Sequence, residues 1–103
     1  MTQTKQNECP LSGRVFGIAL NEFSNEFGDH PGYFNKFSFY IADDTTGAKY
    51  NIFARDNAKL DDIAQWTSLA FTSFIERKII EVRCKPFDNV EETGNYYINS
   101  AKI

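Results

Sequence analysis

The sequence is poor in the residues that give the plainest arguments about function. It has one histidine, two cysteines, one tryptophan and three prolines in 103 residues. No Cys/His spacing suggests zinc, and no glycine-rich phosphate loop is present. His30 lies in a Gly/Pro stretch, without a nucleophile-elbow motif to serve. No apolar segment opens the chain, and no run approaches the ~20 apolar residues of a membrane-spanning helix. The expectation is a chain that is not an enzyme, with no cofactor, no metal and no membrane partner. Cys9 sits in a polar lead-in and Cys84 in an apolar run, a spacing that suggests no disulfide framework. Free thiols, as in a reducing cytoplasm, are the expected state. The net charge is −3 and the isoelectric point near 5.0. That excess of acid weakens any case for strong nonspecific phosphate binding. A local basic face remains compatible with it.

What the sequence does have is rings. Aromatic residues make up 16% of it, with ten Phe and five Tyr, more than a core of this size needs. Some of these rings belong on the surface or in loops. Mean hydropathy is −0.45 with 42% hydrophobic residues, an ordinary globular balance. The length predicts a single domain, with residues 1–11 as a flexible N-terminal arm.

Residues 13–23, "GRVFGIALNEF", are apolar on both alternation faces, which predicts a strand buried on both sides or bent between two sheets. Gly17 in its middle suits a bend or bulge. Residues 21–35 read as a long loop broken by Gly28, Pro31 and Gly32, yet they carry Phe23, Phe27, Tyr33 and Phe34. Two strands then flank a turn at Asp43–Gly47. Phe37, Phe39 and Ile41 point inward from the first, and Tyr50, Ile52 and Ala54 from the second. Residues 57–77 predict a helix, capped by Asp56 or Asn57, with Leu60, Ile63, Ala64, Ala70, Phe71 and Phe74 at helical spacing. Residues 78–85 predict a strand with Ile80, Val82 and Cys84 inward, ended by Pro86. An acidic loop and a closing strand, 96–103, follow.

The order strand, strand, strand, helix, strand, strand resembles that of the OB-fold, over residues 12–103. "SGRVFGI" looks like the first OB strand. "FYIADDTTGAKYNIFARD" is similar to the second and third strands of replication-protein-A and telomere-end OB domains. The resemblance implies an all-β fold with one helix, a five-stranded Greek-key barrel, and an oligonucleotide lying across strands 2 and 3.

The hairpin residues agree with that role. Lys36, Ser38, Tyr40 and Ala42 alternate outward on the second strand, and Lys49, Asn51, Phe53 and Arg55 on the third. Bases stack on Tyr and Phe while Lys and Arg neutralise phosphates. The expected ligand is single-stranded nucleic acid, DNA ahead of RNA. Tyr40 and Phe53 are the expected platforms, Lys36, Lys49 and Arg55 the phosphate contacts, and Asn51 a base contact. Arg83 and Lys85 would extend the basic track. Tyr40 and Phe53 packed under the protein's own 21–35 loop or its arm is the structural alternative. The competing function is an OB-type protein-interaction module, its aromatic face holding a partner protein or a second copy in a homo-oligomer.

Overall fold

Alternating apolar residues decide the architecture. In this computed structural model, which describes residues 9–24, 33–87 and 94–103, the elements are β1 (Leu11–Ser24), β2 (Tyr33–Asp43), β3 (Lys49–Phe53), α1 (Leu60–Glu76), β4 (Ile80–Pro86) and β5 (Asn95–Lys102). The strands close into a barrel in the order β1-β2-β3-β5-β4. β3 and β5 run parallel, and the other neighbours antiparallel. The all-β class with one helix between strands 3 and 4 is as the sequence predicts.

The inward set is also as predicted. Phe37, Phe39, Ile41, Tyr50, Ile52 and Ala54 are buried, joined by Ile80, Val82, Tyr96 and Ile98. Each large side chain withdrawn from water in this way contributes about 1.5–3 kcal/mol. Tyr50 and Tyr96 meet edge to face at 5.7 Å. At the Asp43–Gly47 turn, Asp43 Oδ1 accepts hydrogen bonds from the backbone N–H of Thr45 and of Thr46, both at 2.8 Å. Gly47 takes φ 74°, which a side chain would resist.

β1 departs from its neighbours. Its ladder with β2 slips between Val15 and Gly17, the bulge that Gly17 suggested. The ladder then continues to Ser24↔Tyr33. The expected 21–35 loop is therefore shorter than predicted, because residues 21–24 and 33–35 are paired strand. Phe27 and His30 lie outside the described residues. β1 also begins earlier than expected. Leu11, assigned to the arm, is a buried strand residue opposite Val82. Gly13 has no room for a side chain, since a Cβ there would overlap the Ala42 carbonyl oxygen.

The helix starts at Leu60 rather than near residue 57. Lys59 occupies the N-cap with no side-chain cap bond, so neither Asp56 nor Asn57 caps it. Its buried face is Ile63, Ala70 and Ser73, with Trp66 and Leu69 partly covered. Leu60, Ala64, Phe71 and Phe74, expected inward, are exposed. Ser73 sets this rotation. Its hydroxyl donates to the Lys78 carbonyl at 2.6 Å and accepts from the Val15 N–H at 3.2 Å, pinning a polar residue at the seam between α1 and β1.

The two cysteines are not free. Cys9 and Cys84 form a disulfide, Cα to Cα 5.5 Å. The β1–β4 ladder pairs Gly13 with Ile80, Ser12 with Glu81 and Leu11 with Val82. Extended along the strands, the same register sets Cys9 opposite Cys84. Folding brings together thiols with a sequence separation of 75. Such a bond belongs to an oxidising setting, so the cytoplasmic placement inferred from free thiols loses its support. No helix among the described residues is long and apolar enough to cross a membrane.

Candidate nucleic-acid interface

The outward side chains of β2, β3 and β5 fall into rows, because each strand's register aligns alternate residues across the sheet. Tyr40, Asn51 and Asn95 form one row; Ser38, Phe53 and Tyr97 form the next. Tyr40 is half-buried. Its ring lies over Gly17, where a Cβ would come within 2.9 Å of Tyr40 Cδ2. The bulge turns Phe16 outward beside it, with ring centroids 5.8 Å apart and planes at 31°. Phe16 remains 46% exposed, and Lys49 Nζ stands 5.5 Å from its ring centre. An open aromatic platform with a cation beside it thus lies at the β1–β2–β3 edge of the face.

Phe53 is placed differently from the expectation. It points away from the core, as alternation requires, but it is 2% exposed. Phe87, just beyond β4, covers it at 5.3 Å between centroids. Phe87 also stacks on Tyr97 at 4.2 Å and 22°. The other partner of Tyr97 is Arg55, whose guanidinium carbon is 4.8 Å from the ring centre. Arg55 further donates to Asn99 Oδ1 at 3.3 Å. Phe53 is therefore buried beneath a packed stack and presents no open ring to a base.

The remaining expected residues are distributed along this face. Asn51 donates through Nδ2 to Asn95 Oδ1 at 2.9 Å. Lys36 Nζ donates to the Asp56 carbonyl. Arg83 and Lys85 are exposed on β4, and Arg83 lines a cavity of about 260 Å³ with Cys9, Pro10, Cys84 and Asn99. Among the described outward positions of β2 to β5, cations outnumber acids. Lys36, Lys49, Arg83 and Lys85, with Arg55 just past the end of β3, share the surface with Glu81, which is itself bridged by Lys102 at 3.7 Å. At the turn, Asp44 pairs with Arg14 at 2.9 Å. The Asp43 carboxyl is held below its ordinary pKa by the backbone N–H groups of Thr46 and Thr45, which favour its charged form. Among the described residues no cluster of three His, Cys, Asp or Glu side chains is placed to hold a metal ion.

Sequence reasoning missed Phe16, Phe87, Asn95, Tyr97 and Asn99. Tyr97 and Asn99 carried a signal, the outward phase of the alternation in "YYINSAKI". Phe16 could have been found from the bulge at Gly17, which moves a residue to the opposite face. Nothing local marks Phe87 or Asn95.

No family model, no curated protein and no solved structure matches the chain. The chain is a small five-stranded closed barrel with one helix, compatible with an OB-like fold.

Proposed function

We propose that the outer face of β2, β3 and β5 binds single-stranded nucleic acid, DNA ahead of RNA, as a binding protein and not an enzyme. Bases stack on Phe16 and Tyr40, and phosphates run past Lys49, Lys36, Arg55 and Arg83. The carrying observation is the Phe16–Tyr40 pair beside Lys49, an open ring on a face where cations exceed acids. A stacked base gains roughly 1–3 kcal/mol from such a ring. The double substitution Phe16→Ala and Tyr40→Ala is expected to weaken binding of a labelled oligothymidine by about tenfold or more, since about 1.4 kcal/mol is tenfold. Fluorescence anisotropy measures this, with an oligouridine as comparison. Unchanged affinity in the double variant would refute the stacking role.

A second reading, a protein-interaction module, has its own observation. Phe16, Ile18, Phe71 and Phe74 line an apolar cavity of about 240 Å³ between β1 and α1. Phe71 and Phe74 are 42% and 47% exposed, and adjoining exposed apolar side chains of this kind mark interaction surfaces.

A further inference from the structure

The Cys9–Cys84 bond sits where the barrel closes and where the outer face ends. Among the described residues, three pairs join β1 to β4: Gly13↔Ile80, Ser12↔Glu81 and Leu11↔Val82. β1 and β2, by contrast, pair from Gly13↔Asp43 to Ser24↔Tyr33. The disulfide stands at the outer end of the shorter seam. It ties down Cys9 and Pro10, which border Arg83 and Asn99 around one cavity. Asn99 in turn accepts from Arg55, a member of the proposed phosphate track. Both cysteines are half-buried rather than sealed, and the cavity of about 260 Å³ gives a thiol room to approach.

We propose that this disulfide is a reducible clasp. Its opening frees residues 9 and 10 from the β4 edge beside Arg83 and Asn99, both of which are exposed while the bond is closed. The reductant is a dithiol. One of its thiolates attacks one sulfur of the Cys9–Cys84 bond, forming a mixed disulfide and expelling the other cysteine as a thiolate. The second thiol of the reductant then displaces the bound cysteine. Two electrons pass from the dithiol, which ends as a disulfide, and Cys9 and Cys84 end as thiols after taking up protons. Arg83 lines the same cavity, and its positive charge favours the departing thiolate, as cations near cysteine do generally. Three paired positions remain to hold β1 against β4, so the barrel stays closed while its lead comes away.

The clasp stands on the fold and goes beyond the nucleic-acid reading above. The test compares the oxidised chain, the chain treated with dithiothreitol in native buffer, and the double variant Cys9→Ser with Cys84→Ser. Amide hydrogen exchange is followed by mass spectrometry, and oligothymidine binding is measured over a salt series. Reduction is expected within minutes without denaturant. Exchange should accelerate about tenfold or more in the segments holding residues 9–12 and 82–84, with β2 and β3 unchanged. The double variant should match the reduced chain. Because Arg83 is exposed in the oxidised chain, opening adds no cation to the face, and the slope of log affinity against log salt should be the same in the oxidised and reduced chains. Resistance to reduction until the chain unfolds would overturn the clasp, as would unchanged exchange near residue 9 or exchange raised throughout the barrel. A freed lead with a changed salt slope would overturn the placement of Arg83 as open in both forms. Absence of oligothymidine binding in every form would overturn the nucleic-acid reading, and the exchange result would still decide the clasp.

Discussion

Asp43 shows how much one side chain can organise. Its carboxylate accepts from two successive backbone N–H groups and so shapes the turn that leads into β3, where Lys49 and Asn51 stand. Those bonds lower its folded pKa below the unfolded value, because they favour the charged form. The stability they contribute is therefore present above the unfolded pKa and is lost as pH falls through the lower folded one. In a two-dimensional NMR titration, the Thr45 and Thr46 amides should shift together at a midpoint below the ordinary ~3.9 of aspartate. Asp43→Asn, which keeps an acceptor oxygen, should preserve the turn at neutral pH and abolish that shared acid transition. The turn itself was legible because Asp and Gly advertise it. The fate of Phe53 was not, because its cover comes from Phe87, on the far side of both α1 and β4 in the chain.

At the scale of elements, α1 carries the clearest lesson about periodicity. Its apolar residues cover more of its circumference than the core can accept, so hydrophobic spacing alone left its phase undecided. Ser73 decides it by satisfying two backbone groups at once, the Val15 N–H and the Lys78 carbonyl. A polar residue on the buried side is the reverse of what an amphipathic reading seeks, and the exposed Phe71 and Phe74 are the result. Ser73→Ala would leave both groups unpaired in a buried seam, at a cost of about 1–3 kcal/mol. The higher helix propensity of alanine returns roughly 0.5 kcal/mol of that. Urea unfolding should therefore show a net loss of about 1.5 kcal/mol, with an unchanged m-value. A shift of α1 against β1 should be visible in the Trp66 emission. The strands were more legible, because a period of two is short and their inward residues are nearly all Phe, Ile, Val or Tyr. Phe16 escaped that reading because a bulge resets the period at one residue.

For the whole molecule, net charge and local charge point in opposite directions. The chain carries −3, yet the outward positions of β2 to β5, with Arg55 just past the end of β3, gather Lys36, Lys49, Arg83 and Lys85. Glu81 shares that surface and is bridged by Lys102, while other acids lie elsewhere, as with Asp61 and Asp62 in the first turn of α1. If about four of these cations meet phosphates, log affinity for a single strand should fall against log salt with a slope of about −3. A slope of about zero would favour the apolar face at Phe71 and Phe74 as the working surface. Strand order was legible from the sequence of element types, but the disulfide was not. Local pattern carries no information about register between β1 and β4.

That register also bears on how the barrel comes into being. The β1–β2 ladder joins neighbours in the chain and can assemble early, while the β1–β4 seam joins segments that the disulfide ties across a sequence separation of 75. Contacts at such separation are entropically late and slow. During synthesis, the β1 edge at Leu11–Gly13 must wait for β4 to emerge, exposed in the meantime to any other strand that passes. The hazard of this small barrel is greatest before it is closed, and a chain stalled short of Ile80 would carry an unpaired edge for as long as it lasted.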